Sequence, residues 1–162
     1  ILGKYSSNLF TLNTFYIANK KIVGSTDLSD TAEHFLVSFW TCVSKNIVQW
    51  NELIKKEISK VDLRENYIVT QGVVVQALGL IGAYFYHNPT LDMNKYLSKL
   101  QVIDWKRNAS QWKLRVIRSD GKIITSNKAI LLTAIQIKKE IGLRLSEEEQ
   151  HKEAQFLNSI NI

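Results

Sequence analysis

Apolar side chains recur at helical spacing along most of this chain, and this periodicity limits the fold more than any other feature. After Ser29, Phe39 follows Leu36 by three positions and Phe35 by four, as expected for one face of an α-helix. Capping residues and glycines separate such segments, and Pro89 is the only proline. The pattern therefore predicts a mainly α-helical domain.

Capping residues and glycines also indicate where the helices begin and end. Thr11 or Asn13 is expected to cap the first helix, which ends at Gly24, and Ser29 or Asp30 is expected to cap the second. The remaining helices are predicted around 50–58, from 62 or 63 to 86, after Pro89 to about 100, at 127–141, and from 146 onward.

The longest apolar run, at 73–86, predicts a buried core helix. Gly79 and Gly82 interrupt it, and glycine disfavours an exposed helix interior by about 1 kcal/mol relative to alanine. We therefore expect another element to pack closely against these two residues. The alternative for residues 73–75 is a buried β-strand, which β-branched side chains favour. The run is too short to cross a bilayer.

Residues 114–125 depart from the helical pattern and predict one small β-hairpin. β-Branched and basic residues lie on both sides of Asp120-Gly121. This pair suits a tight turn in which both central residues need a positive φ angle.

The excess positive charge of the chain lies in one short segment. The formal net charge is +6, and the segment from Trp105 to Lys128 alone accounts for it, with seven basic residues and one acid, Asp120. Such a segment favours association with a polyanion, because each neutralised phosphate releases condensed counterions. The alternatives are a solvated basic hairpin without a ligand and a surface for an acidic protein partner.

Two tryptophans, Trp105 and Trp112, flank the basic pair Lys106 and Arg107. Aromatic rings among cations can stack on bases. The interpretation that we favour is that both rings anchor the hairpin to the core.

No motif for catalysis or metal binding is present. The sequence has no phosphate-binding glycine loop, no nucleophile elbow and no His or Cys spacing typical of a metal site. Its one cysteine, Cys42, lies in an apolar helical stretch, which predicts a buried, unreactive thiol and fits a reducing cytoplasm. We expect no enzyme activity, no cofactor and no metal ion.

The last two predicted helices invite comparison with a helix-turn-helix motif. The second of them would enter the DNA groove, but it begins with three glutamates after Ser146, which would repel phosphates. We expect it instead to pack on the domain through Ala154, Phe156 and Leu157.

Several stretches resemble the DndB family, which has the DGQHR-domain label. They cover nearly the whole chain in the order of the family's C-terminal half, and none is a catalytic motif. The stretches are 2–12 (LGKYSSNLFTL), 63–68 (LRENYI), 72–79 (GVVVQALG), 97–100 (LSKL), 103–112 and 137–143 (IKKEIGL).

The resemblance implies a role in the bacterial gene clusters that place sulfur in the DNA backbone as phosphorothioate. In these clusters DndB is regarded as a DNA-binding repressor and not as a sulfur-transfer enzyme. The Asp-Gly-Gln-His-Arg motif that names the family is absent here, and the chain begins Ile-Leu-Gly without an initiator methionine. We expect residues 1–162 to form a single C-terminal helical domain of a larger protein.

The leading hypothesis is a DNA-binding regulatory domain, and the alternative is a protein-interaction or oligomerisation module without direct DNA contact. The expected partners are DNA, the remainder of the same protein and other proteins of the sulfur-modification cluster. Phosphate contacts are predicted for Lys106, Arg107, Arg115, Arg118, Lys122 and Lys128, and the matching stretches add Lys4 and Arg64.

Overall fold

The structure, a computed structural model, describes residues 10–24 and 29–161 of the chain. Within these ranges it is mainly α-helical, which confirms the predicted fold class. Short 3-10 helices span Ser98–Val102 and Ser110–Trp112. The α-helices are α1 (Leu12–Val23), α2 (Asp30–Asn46), α3 (Val48–Ile54), α4 (Lys60–Asn66), α5 (Gly72–His87), α6 (Met93–Leu97), α7 (Asn127–Ile141) and α8 (Glu147–Ile160).

Side-chain caps and left-handed glycines end several helices where the sequence predicts. The Thr11 hydroxyl accepts a hydrogen bond from the Thr14 amide at 3.0 Å, and the Ser29 hydroxyl accepts one from Ala32 at 3.1 Å. Gly24 follows α1 with a φ angle of +70°, a conformation that glycine adopts without steric cost. These contacts confirm the predicted ends of α1 and the start of α2.

Helix α5 forms the centre of the core and packs against both α1 and α7. Residues 73–75 lie within this helix and do not form a strand. The side chains of α5 are buried on most of its circumference, as expected for a core helix. A Cβ atom added to Gly79 would lie 3.0 Å from the Ala18 carbonyl oxygen, and one added to Gly82 would lie 2.8 Å from Ile22 Cγ1. The predicted close packing is confirmed, and α1 approaches both glycines, with Phe39 of α2 also close to Gly82. Across the described ranges, no helix has both the length and the apolar character of a membrane span.

The prediction of one continuous helix from residue 62 to 86 is wrong, because residues 67–71 separate α4 from α5. The backbone of this segment bonds to the loop around residue 105 instead of continuing the helix. The Ile68 amide donates to the Trp105 carbonyl oxygen at 3.0 Å, and the Arg107 amide donates to the Asn66 carbonyl oxygen at 2.8 Å. The tertiary hydrogen bonds therefore interrupt a pattern that is helical by local sequence alone.

The predicted hairpin is reduced to a tight turn closed by one antiparallel bridge, and residues 114–125 form no extended strands. Gly121 has a φ angle of +79°, and the Arg118 amide donates to the Lys122 carbonyl oxygen at 2.8 Å. Ile117 and Ile123 form an isolated antiparallel bridge. Before the turn, the amides of Val116 and Ile117 both donate to the Trp112 carbonyl oxygen, which coils this arm and prevents it from extending.

Helix α8 packs on α7 through a different set of side chains from the one predicted. Phe156 is buried as expected, but Ala154 and Leu157 are exposed, so the prediction is wrong for these two. The other buried residue of α8 is an acid, Glu153. Ion pairs therefore supply part of the contact that an apolar stripe supplies elsewhere.

The single cysteine, Cys42, is buried in α2, as predicted. Its Sγ donates to Asn94 Oδ1 at 3.1 Å. Burial raises the pKa of the thiol, which keeps it protonated at neutral pH.

Candidate nucleic-acid interface

Two stacked tryptophans hold the basic segment against the helices. The rings of Trp105 and Trp112 lie 5.4 Å apart at an interplanar angle of 6°. Their Nε1–H groups donate to the carbonyl oxygens of Leu100, at 3.3 Å, and of Asp104, at 2.6 Å. Both side chains are buried. This confirms their anchoring role, and neither ring is available to stack on a base.

The turn at residues 118–122 presents two cations to solvent. The side chain of Arg118 is 58% exposed and that of Lys122 is 76% exposed. Both lie near one carboxylate oxygen, Asp120 Oδ2, at 3.1 Å from Arg118 Nη2 and 3.9 Å from Lys122 Nζ. Because one acid is shared between two cations, the turn keeps a net positive charge.

Arg115 does not belong to this surface, and its burial argues against the predicted phosphate contact. Its side chain is 4% exposed, and its guanidinium makes two hydrogen bonds of 2.6 Å to the carboxylate of Glu153. The guanidinium carbon also lies 4.4 Å from the centroid of the Phe156 ring. A buried, bidentate arginine cannot reach a DNA phosphate without breaking the α8 contact.

Glu153 is the partner that neutralises Arg115, and it also accepts from Lys139 Nζ at 2.7 Å. Burial raises the pKa of this carboxyl group, but the hydrogen bonds and charges of Arg115 and Lys139 outweigh burial, so the pKa lies below its ordinary value. The group is therefore ionised at neutral pH and joins α8 to α7 and to the basic segment.

Lys106 and Arg107 lie in a separate part of the surface, beside the end of α4. They line a cavity of about 500 Å³ together with two acids, Glu57 and Asp62. Lys106 is exposed and Arg107 is half-buried, with its Nε buried and without a hydrogen-bond partner in the part of the chain that the structure describes. The nearby acids make this pair a weaker candidate for phosphate contact than the turn.

The remaining predicted contacts are dispersed. Lys128 is exposed in the first turn of α7, shortly after the turn at 118–122 along the chain. Arg64 is half-buried and lines a second cavity, at the start of α5. Lys4 lies outside the described residues.

Thr70 lines this second cavity, although the sequence offers no reason to expect it there. The cavity has a volume of about 520 Å³, and Thr70 and Gln71 line it together with Arg64. The only sequence signal for the cavity is the start of an apolar helix at Gly72, and nothing in the sequence indicates that Thr70 is buried there.

The described ranges contain no group of three His, Cys, Asp or Glu side chains that could hold a metal ion.

Comparison with known proteins identifies the family. The family model for DndB, described as DNA-sulfur modification-associated, matches residues 1–144, which is most of the chain. No curated protein and no solved structure matches the sequence. The match includes the basic segment and α1 to α7, and it excludes α8. The chain therefore belongs to the DndB family of DNA-sulfur modification-associated proteins.

Proposed function

We propose that this domain binds DNA through the turn at residues 118–122 and the start of α7. The observation that supports this proposal most is the pair of exposed cations, Arg118 and Lys122, on one tight turn with a single shared acid. Lys128 adds a third exposed cation nearby in sequence. The family's association with DNA sulfur modification makes DNA the polyanion to expect.

A DNA phosphate can replace Asp120 at this turn at little cost. Exposed ion pairs contribute only about 0–1 kcal/mol, because water screens them and both side chains lose freedom. Phosphates lie at high density along DNA, and their neutralisation releases counterions. Contacts of this kind position a protein on DNA without reading the base sequence.

The role that we propose is regulatory and not catalytic. A domain that holds DNA by its backbone can repress transcription of its own sulfur-modification cluster when other parts of the protein supply sequence preference. Further partners in this proposal are the remainder of the same protein and other proteins of the cluster.

The test removes the two cations of the turn and measures binding to the promoter DNA of the cluster. In Arg118→Ala/Lys122→Ala we expect weaker binding and a slope of log K against log salt that is smaller by about one per lost contact. The matched control is Lys45→Ala/Lys55→Ala, which removes the same charge from exposed positions in α2 and after α3. Gel shifts over a salt series measure both quantities.

An equal effect of the two double variants would mean that only the total charge matters, and the proposed surface would be wrong. Unchanged binding of the Arg118/Lys122 variant at low salt would also overturn the proposal. Circular dichroism of each variant excludes loss of fold as the cause.

A protein-interaction module is the second candidate function, and two exposed apolar side chains favour it. Leu12 and Tyr16 lie one helical turn apart on α1 and are 88% and 51% exposed. Such side chains suit contact with another protein surface. A dimer whose stability is insensitive to salt, without retention on heparin or DNA, would favour this function over DNA binding.

A further inference from the structure

Helix α8 carries two acids, one helical turn apart, that pair with cations of the rest of the domain. Glu153 accepts hydrogen bonds from Arg115 of the basic segment, at 2.6 Å, and from Lys139 of α7, at 2.7 Å. Glu149 accepts one from Lys138 Nζ at 2.6 Å. The carboxylates of α8 therefore neutralise three cations that belong to other elements.

Arg115 makes its closest contacts with α8. Its bidentate partner Glu153 and the ring of Phe156, whose centroid is 4.4 Å from the guanidinium carbon, both belong to this helix. Arg115 Nη1 also donates to the Leu132 carbonyl oxygen, at the longer distance of 3.4 Å. Displacement of α8 would remove both the counterion and the ring, and the guanidinium would become available to another anion.

Arg115 lies close to the surface that we propose for DNA binding. A cavity of about 300 Å³ is lined by Arg115 and by Lys128 at the start of α7, together with Phe156 and Ile160 of α8. Because Lys128 is part of the proposed DNA surface, α8 borders that surface. Its displacement would add Arg115 to the cations that face DNA.

Helix α8 is attached outside the main core. Its buried apolar residue, Phe156, packs with Leu132 and Ile135 in a separate small cluster, and none of the residues described for α8 belongs to the main core. The family match ends at residue 144, so it includes the three cations and excludes the helix that neutralises them. An element that buries little apolar surface can separate while the main core stays packed.

We propose that α8 is an autoinhibitory helix, which occupies a second DNA-phosphate-binding surface formed by Arg115, Lys138 and Lys139 and is displaced by DNA. Phosphate oxygens can take the place of the carboxylates, since arginine binds both groups in a bidentate manner. The counterions that DNA releases offset the loss of the α8 contacts. The inference rests on DNA binding by this domain, as proposed above, but it uses cations other than Arg118 and Lys122.

The first experiment measures amide hydrogen exchange of the unmodified protein, free and saturated with a short DNA duplex at low salt. We expect the amides of α8 to exchange about tenfold faster or more in the complex, while those of α5 keep their protection. Mass spectrometry of peptic fragments locates the change. Unchanged or slower exchange of α8 in the complex would overturn the proposal.

The second experiment uses Glu149→Gln/Glu153→Gln, called the α8 acid variant. Glutamine at 149 retains the capping box with Ser146, whereas Arg115 loses its buried counterion, which disfavours the closed position of α8. We expect DNA affinity at low salt to rise by about tenfold, and the slope of log K against log salt to become steeper by about one to two.

The matched control is Glu147→Gln/Glu148→Gln, which removes the same charge from exposed positions in the first turn of α8. We expect this variant to gain little affinity and to keep its salt slope. Equal gains in the two double variants would mean that α8 acts only through the total charge, and the autoinhibitory role would be wrong. Circular dichroism verifies that each variant is folded.

A third comparison identifies the cations that bind the phosphates. Arg115→Gln/Lys139→Gln in the α8 acid variant should abolish the gain in affinity, because these two residues share Glu153 as their partner. Lys45→Gln/Lys55→Gln in the same background removes equal charge from exposed positions and should retain most of the gain. Equal losses from the two pairs of substitutions would rule out the second surface.

The failure of this inference is distinguishable from failure of the proposed function. If the Arg118→Ala/Lys122→Ala variant binds DNA weakly but α8 stays protected in the complex of the unmodified protein, the turn binds DNA and α8 is not autoinhibitory. If that variant binds DNA normally while α8 loses protection in the complex, the turn is not the DNA surface and the surface under α8 remains.

Discussion

Arg115 and Arg118 are three residues apart in a segment of high positive charge, yet they have opposite roles. Arg115 is buried against Glu153 and Phe156, and Arg118 is exposed beside Asp120. A charge count treats the two as equal, because it contains no information about burial. The location of each guanidinium, and not its presence in the basic segment, determines whether a phosphate can reach it.

Thr70 allows a prediction at the same scale. Thr70→Val keeps the shape of the side chain and removes a buried hydroxyl that lacks a hydrogen-bond partner among the described residues. We expect the free energy of unfolding to rise by about 1 kcal/mol, since an unpaired buried polar group costs roughly 1–3 kcal/mol. Urea denaturation in phosphate-free buffer measures the change.

The control for this prediction is Thr133→Val, where the removed hydroxyl is hydrogen-bonded to the Ala129 carbonyl oxygen. This variant should be neutral or less stable than the unmodified protein, by up to about 1 kcal/mol. Destabilisation by both substitutions would mean that the Thr70 hydroxyl has a partner in the folded protein.

At the scale of elements, local signals predict most helix ends, and tertiary contacts decide the rest. Helix α7 spans the predicted residues 127–141, because the capping side chain of Ser126 and the left-handed Gly142 act within one turn of the helix. The break between α4 and α5 was not predictable, because it depends on hydrogen bonds to residues about 40 positions further along the chain. The cavity at the start of α5 was missed for the same reason.

The attachment of α8 depends on pH through Glu153. The pKa of this carboxyl group is lowered in the folded protein, so its ionised form stabilises the fold above its ordinary pKa, about 4.5. This contribution is lost as the pH falls from about 4.5 through the lower, folded pKa. We expect the free energy of unfolding to decrease in this range, with a smaller decrease in Glu153→Gln.

Urea denaturation between neutral and acidic pH tests this linkage, and the difference between Glu153→Gln and the unmodified protein is the informative quantity. The variant is expected to be less stable at neutral pH, because Arg115 then lacks its buried counterion. Parallel pH profiles for the two proteins would show that Glu153 does not link stability to pH.

At the scale of the whole molecule, the net charge of +6 is less concentrated in space than in sequence. The cations of the basic segment divide between the exposed turn, the loop beside α4 and the buried contact with α8. The exposed basic surface that we propose for DNA binding is therefore smaller than the sequence indicates. Asp120 is the acid beside Arg118 and Lys122 in the turn, so it strongly affects the local charge there.

Asp120→Asn is expected to strengthen DNA binding. The amide oxygen of Asn can still accept the hydrogen bond that Asp120 Oδ1 accepts from the Lys122 amide at 3.2 Å, so the turn should keep its shape. The substitution removes the charge that competes with phosphate for Arg118 and Lys122. A gain of up to about 1 kcal/mol, or about fivefold in affinity at low salt, is the size expected for an exposed charge.

Glu148→Gln removes the same charge from an exposed position in α8 and is the matched control. DNA titrations at low and high salt distinguish the two sites. A local effect requires that Asp120→Asn increase affinity more than Glu148→Gln does, and that the excess disappear at high salt as screening shortens the range of the interaction. Equal gains in the two variants would place the DNA elsewhere on the molecule. If phosphates contact the turn, removal of the nearby charge of Asp120 must raise affinity more than removal of the distant charge of Glu148.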